Sequence, residues 1–482
     1  MANFTKQQVV KNFSWRYLGR FGSQIISFAV TIILARLLTP DAFGAVAIVS
    51  IFTNFLQVFI DSGLGTALVQ KKNADEIDFS SVFYFNVIIC LLLYALLYFF
   101  APVVAVFYDD PFLTPLLRVS SLSLIITGLR STQETYVTRN LLFKSYFIAT
   151  AIAVISSAII AVVMAYAGFG AWAIVGQQIG NTGISTLLLW FLISWRPHLL
   201  FSFKRLKGLL QYGWKILGAS LVDNLYTEIR SLLIGKVYTA KDLAFYDQGK
   251  TFPYMIVSGV NNALNSVIFP VLSRSQENIN DIKRMVRKTI CVSTFVISSI
   301  LSIIFCSSKS MVLTLMTEKW VPCVVYMQIL CFDSLFWPII TTHYNSFKAV
   351  GDSGVFFKYM FVTKFIGVLM LLLVLRLGVI WIALSSVAAM IVQTLLVSIE
   401  SKKRNNYAWK EQFQDLRDGF TPAFFIFIST YWLNWVTLPS LFIFILQIII
   451  GLIVFVGCVL LCKNDSVIIL KNMIIDKIKK NE

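Results

Sequence analysis

Charge is scarce in this 482-residue chain: Asp, Glu, Lys and Arg make up only 13% of it, against 57% hydrophobic residues and a mean hydropathy of +0.77. No soluble domain of this size carries so little charge, so the composition points to a polytopic membrane protein. Histidine is rarer still. His198 and His343 stand alone, with no HExxH motif or carboxylate constellation around either. No Walker A sequence occurs, which argues against ATP hydrolysis by this chain. The seven cysteines form no CxxC pair and lie almost all in apolar stretches, so they read as small hydrophobes. From these absences we expect no metal and no cofactor. Alternating segments of ~10 residues are also missing, which excludes a membrane β-barrel. Glycosyl transfer would need a clustered extramembrane loop, and the longest candidate, Glu400 to Asp418, is only a basic connector.

What the chain does have is a succession of long apolar runs. Crossing the ~30 Å hydrocarbon core takes roughly 20 apolar residues. Fourteen spans are predicted, at about 14–38, 42–60, 80–107, 113–136, 146–167, 170–195, 212–237, 244–270, 286–306, 321–346, 355–375, 378–399, 420–437 and 439–461. The expected fold class is therefore an all-α polytopic membrane protein. The formal charge of +17 could suggest nucleic acid, but Lys and Arg sit in short clusters between apolar runs. With an even number of spans, 27 of the 41 basic residues fall in the tails and loops on the N-terminal side and only six in the opposite loops. The positive-inside rule then places both termini in the cytoplasm and excludes a nucleic-acid partner. The first apolar run is too long for a signal-peptide core and is expected to stay attached.

An internal repeat sets the architecture. Trp15-Arg16-Tyr17-Leu18-Gly19 resembles Trp214-Lys215-Ile216-Leu217-Gly218, and Ala35-Arg36-Leu37-Leu38-Thr39 resembles Gly235-Lys236-Val237-Tyr238-Thr239. Gly170-Ala171-Trp172 has its counterpart in Gly378-Val379-Ile380-Trp381. Spans one to six and seven to twelve thus form two copies, and an even repeat requires a pseudo-twofold axis along the membrane normal. The expected organisation is an N-lobe at 1–195, an amphipathic cytoplasmic linker at 196–211 and a C-lobe at 212–399. A connector at 400–419, an appended pair of spans at 420–461 and a basic tail at 462–482 complete it. Two six-helix lobes would enclose a central cavity.

Polar residues inside spans are expensive and mark sites by default. Arg16, Arg20, Gln24, Ser27 and Thr31 share one helical face, and a 200-residue offset from the inner four lands on Ser220, Asn224, Thr227 and Ser231. Lys250, Tyr254, Ser258, Asn261 and Asn265 continue one face of span eight, and span four carries Ser120, Ser123, Thr127, Arg130 and Glu134. Amides, hydroxyls and interspersed aromatics are what a sugar needs. Trp337, four residues after Asp333, could line the cavity. The candidate substrate-binding set is Arg20, Gln24, Ser27, Arg118, Asn224, Thr227, Lys250, Tyr254, Asn261 and Lys364. Asp61, Asp223, Glu228, Asp247 and Asp333 are the candidates for binding a coupling cation. Arg20 faces only Ser220 across the repeat, while Asp223 takes the place of Ser23, so the site should be lopsided.

Leu34-Ala35-Arg36-Leu37-Leu38-Thr39-Pro40-Asp41-Ala42-Phe43-Gly44 is followed by Asp61-Ser62-Gly63-Leu64-Gly65-Thr66-Ala67-Leu68-Val69-Gln70. With Phe269-Pro270-Val271-Leu272-Ser273-Arg274 and Glu318-Lys319-Trp320, these segments resemble a bacterial Wzx-type polysaccharide flippase. The likeness is closest to the colanic-acid type in the multidrug/oligosaccharidyl-lipid/polysaccharide exporter superfamily. In the second copy Phe245 precedes Tyr246 where that family usually has glycine. The resemblance implies fourteen helices, a V-shaped pair of lobes and export of undecaprenyl-pyrophosphate-linked repeat units across the inner membrane, with polymerase and export machinery as partners. Arg20, Lys250 and Lys364 would hold the anionic head while the lobes rock between inward-open and outward-open forms. A cation-coupled multidrug exporter of the same fold is the alternative, and a membrane glycan polymerase or ligase a more distant one.

Overall fold

Helices are the only regular structure among the described residues of the computed structural model, which are 6–61, 63–274 and 278–461. Hydrocarbon offers the backbone no water, so each segment has to close its own hydrogen bonds. Each predicted span overlaps a helix or a broken pair of helices, and among the described residues eight helical stretches are long and apolar enough to cross a membrane. The expected tail at 462–482 lies outside the described residues.

The first unit comprises α1 (Lys6–Leu37), α2 (Pro40–Asp61), the short α3 (Leu64–Gln70), α4 (Glu76–Tyr108), α5 (Leu113–Ser120), α6 (Leu122–Asn140), α7 (Phe143–Tyr166), α8 (Ala171–Leu192) and α9 (Phe203–Val237). Asp75 starts α4 with a capping box: its side chain accepts from the Asp78 amide while Asp78 accepts from the Asp75 amide. Tight seams come from glycine. A Cβ on Gly128 would lie 2.5 Å from Cys90 Sγ, so α4 and α6 approach closely only because Gly128 has none. α10 (Ala240–Arg274) begins in the first unit, which ends at Ala244, and continues in the second.

The division at Ala244 falls one helix later than the lobe boundary expected from the repeat. Helix α9 packs along α2, α3 and α4: Tyr108 donates to the Leu232 carbonyl at 3.2 Å, and Gly63 meets the backbone of Gly213. The stretch expected to be an amphipathic linker also looks different. It is extended only to Ser202 and then enters α9, which runs unbroken from Phe203 through the predicted span. The charges of Lys204, Arg205 and Lys207 lower hydropathy without interrupting the helix. Two serines at the start of α4 hold the extended part, Ser80 accepting from the His198 amide at 3.0 Å and Ser81 from the Ser202 amide at 2.9 Å.

The second unit contains α11 (Ile279–Leu315), α12 (Cys323–Leu335), α13 (Trp337–Ala349), α14 (Ser353–Val374), α15 (Val379–Asn405), α16 (Trp409–Thr430) and α17 (Ser440–Leu461). The segment expected to be a connector, 400–419, is helical except for a turn at Asn406, whose φ of 50° lies in the left-handed region. That turn is anchored by charge. Arg287 grips Asp415 with two bonds of 2.8 and 3.0 Å and Glu411 with one of 3.0 Å, while the buried Tyr407 hydroxyl donates to Asp415 at 2.7 Å. Burial pushes the Glu411 carboxyl up, but the bonds from Lys283 and the Ala408 amide, with the charge of Arg287, hold it below its ordinary range. The appended pair α16 and α17 packs on α11 through small residues and serines. Ser298 donates to the Gly419 carbonyl at 2.8 Å, and buried Gln447 accepts from Ser310 at 2.6 Å and donates to the Cys306 carbonyl at 3.0 Å.

Candidate functional site

The fourth span is broken where its polar stripe begins. At the junction of α5 and α6 Ser121 Oγ donates to the Arg118 carbonyl and Ser123 Oγ to the Ser120 carbonyl. The chain restarts as α6, set against its neighbours by side chains on several faces. Asn86 donates to Ser131 Oγ at 3.0 Å, Gln133 to the Trp195 carbonyl at 3.0 Å, and Trp190 Nε1 to the Leu129 carbonyl at 3.2 Å. So held, α6 presents Arg130 and Glu134 to a cavity of about 770 Å³ enclosed with α1, α7 and α8.

The pair is joined at 3.1 Å between Arg130 Nε and Glu134 Oε1. Tyr146 of α7 donates to Glu134 at 3.3 Å and Arg130 donates to Ser185 of α8 at 3.4 Å, so four side chains link three helices. Helix α1 contributes Ser23, Gln24 and Ser27, and α8 adds Asn181. Phe143, Phe147 and Thr150 close the wall on α7. On the other flank of α6 lies a smaller cavity of about 350 Å³, and Glu134 and Thr138 line both.

A second feature lies in the second unit. The rings of Tyr254 on α10 and Trp337 on α13 lie 5.0 Å apart at an interplanar angle of 30°, and the Lys250 ammonium sits 5.9 Å from the Tyr254 centroid. Tyr254 is 44% exposed, so its ring is open to a ligand. Pro338 lacks the N–H that would bond back to Ser334, which is why the span breaks at Phe336 and lets Trp337 begin a new helix. An aromatic pair beside a cation can stack a sugar and hold a phosphate.

The structure thus brings Gln24 and Ser27 together in one site, and Lys250 and Tyr254 in another. Arg118 is engaged elsewhere: its Nε donates to the Tyr98 carbonyl at 3.1 Å and its guanidinium lies 4.2 Å from the Tyr98 ring. Thr227 is bonded to the Asp223 carbonyl at 2.9 Å, while Asn224 Oδ1 and both polar atoms of the buried Asn261 side chain lack partners among the described residues. Lys364, Glu228, Asp247 and Asp333 are half-buried, and Asp223 is exposed. The side chains of Arg20 and Asp61 lie outside the described residues. Sequence reasoning missed Tyr146, Thr150, Asn181 and Ser185. Both pairs are spaced by four, the available signal; Asn181 and Ser185 share one side of α8 with Gln177, Gln178 and Thr182, whereas α7 has polar residues on several faces.

Membrane-length helices, two spans broken at matching points and polar sites within the bundles define a membrane-transporter fold. The likeness to a solved structure titled lipid II flippase MurJ, in an inward closed conformation, shows that fold: the TM-score is 0.75 at 17% identity, covering 95% of this chain and 99% of that one. The chain belongs to the polysaccharide biosynthesis protein family, whose pattern matches residues 33–325. Among its relatives, the succinoglycan biosynthesis transport protein ExoT of Rhizobium meliloti (strain 1021) is 23% identical over 349 residues, 72% of this chain and 71% of that protein. The teichuronic acid biosynthesis protein TuaB of Bacillus subtilis (strain 168) is 23% identical over 376 residues, 74% of this chain and 76% of that protein.

Proposed function

We propose that the chain is a flippase that carries undecaprenyl-pyrophosphate-linked oligosaccharide repeat units across the bacterial inner membrane for surface polysaccharide synthesis. The observation that carries this reading is the Lys250, Tyr254 and Trp337 cluster, set in a transporter fold of a polysaccharide-biosynthesis family. Lysine supplies a charge-assisted bond to pyrophosphate, and the ring pair supplies flat apolar surface for the C–H faces of a sugar. The lipid tail stays in the bilayer. Alternating access would open the cluster first to the cytoplasm and then to the opposite side, where a polymerase and export machinery would take the cargo. The 27 to six distribution of basic residues supports cytoplasmic termini. Arg20 and Lys364 are the further cationic contacts of this proposal, and Asp61, Asp223, Glu228, Asp247 and Asp333 the acids for ion coupling. Gene deletion followed by analysis of lipid-linked oligosaccharides tests it. Complete, unflipped repeat units should accumulate and clear when the wild-type gene is restored; unchanged glycolipids with altered drug tolerance would replace this reading with a drug exporter.

A further inference from the structure

The cavity of the first unit differs from the Lys250 cluster in ways that bear on its ligand. Among its described lining residues one guanidinium and one carboxylate neutralise each other at 3.1 Å, so these side chains offer no net charge to an anion. Its volume of about 770 Å³ falls within the ~300–1,000 Å³ of small-molecule sites. The side chains of Ser23, Gln24, Ser27 and Asn181 line it without a hydrogen bond to another described residue, although the Ser27 carbonyl accepts from Thr31 Oγ1 at 2.9 Å. Polar side chains left unused inside apolar helices are costly to keep dry and are retained where water or a ligand meets them. Two amides each offer donors and an acceptor, the combination that vicinal hydroxyls require, and the Tyr146 and Phe147 rings supply an apolar wall.

We infer that this cavity recognises one uncharged sugar ring of the cargo, with Gln24 and Asn181 as its specificity-determining residues. The inference rests on the flippase reading and deepens it by assigning the part of the cargo that the cavity of the first unit reads. A charged ring, such as a uronic acid, would have to displace Glu134 from Arg130 before it found a counter-charge. Water bound without selectivity, or proton carriage by Glu134 alone, would need neither amide.

The test uses the full-length chain in lipid nanodiscs with two probes, bare undecaprenyl pyrophosphate and the lipid-linked oligosaccharide extracted from the deletion strain. Wild-type protein should prefer the glycolipid by about tenfold, the worth of one or two hydrogen bonds. Gln24→Leu and Asn181→Leu should each remove most of that preference while binding bare undecaprenyl pyrophosphate as before, which also shows that the variant has folded. If Asn181→Leu loses both probes, Asn181→Ala, which removes the amide with less added bulk, gives the deciding comparison. Lys250→Gln should weaken both probes by the same factor. An undiminished preference in both amide variants would overturn the inference and leave the flippase reading standing; wild-type protein that binds neither probe would overturn both. Free glucose should compete with the glycolipid better than free glucuronate, and Glu134→Gln should reverse that order. Equal competition by glucuronate in the wild type would overturn the assignment to an uncharged ring.

Discussion

The two copies of the repeat break their fourth span at corresponding points by different means. In the first, the hydroxyls of Ser121 and Ser123 bond to carbonyls at the junction; in the second, Pro338 cannot supply an N–H. Beyond the break the chemistry diverges further. Helix α6 turns a paired Arg130 and Glu134 toward a cavity, whereas α13 begins with Trp337 tilted against Tyr254 beside Lys250. Each break frees a helix end to carry a site, and the side chains beyond the two breaks differ. A neutral cavity and a cationic aromatic platform suit the two parts of a molecule that is sugar at one end and pyrophosphate at the other.

That contrast can be broken at its strongest point first. Replacing Lys250 by Gln should cut export by roughly 10- to 100-fold with membrane abundance unchanged, because a charge-assisted bond to phosphate is worth about 1.5–3 kcal/mol. Complementation of the deletion strain, read as polymer per unit of protein, measures it, and wild-type output would remove the platform from the mechanism. The next effect concerns the pair in the other unit. Arg130→Leu or Glu134→Leu alone leaves its partner uncompensated, so each should lower the thermal midpoint more than the double variant does. The half-exposed setting keeps the single penalties to about 1–3 kcal/mol. Equal losses from single and double variants would show that the two groups do not act as a pair. Gly128→Val should cost about 1–3 kcal/mol by forcing a side chain against Cys90, and a fall in detergent-solubilised thermal stability would register it.

Hydropathy made the order of helices legible because each crossing has to be apolar for about 20 residues whatever else it does. It could not show where α9 begins. Lys204, Arg205 and Lys207 mark the end of the apolar run, but charge ends hydrophobicity without ending a helix, and Phe203 continues into Trp214 with no break. The Lys250 and Tyr254 pair was legible from spacing alone, since residues four apart share a face. Asn181 went unread although Gln177, Gln178, Asn181, Thr182 and Ser185 fall on one side of α8, a face about 140° wide. The depth of the glycine seams was hidden. Nothing about Gly128 in the sequence says that Cys90 lies against it.

The smallest expected effect sharpens the comparison at the loop entering α4, where the first unit has its own ionic clamp. Arg205 bonds to Asp75, and Lys71 holds the buried Asp78 at 2.6 Å. The Arg205 guanidinium keeps the Asp75 carboxyl below its usual 3.8. A depressed carboxyl stabilises the folded state at pH values above its unfolded pKa, and that contribution is lost as pH falls through the lower folded value. Wild-type protein should therefore be slightly more stable than Arg205→Ala at pH 7 and at pH 5, and the difference should close below pH 3.8. Asp75 is 49% exposed, so solvent screens the pair and the gap should shrink in high salt as well. Thermal midpoints of both proteins across that pH range measure it. A gap that did not narrow at all as pH falls below 3.8 would mean that Arg205 acts through packing of its stem or through Asp78 and not through Asp75.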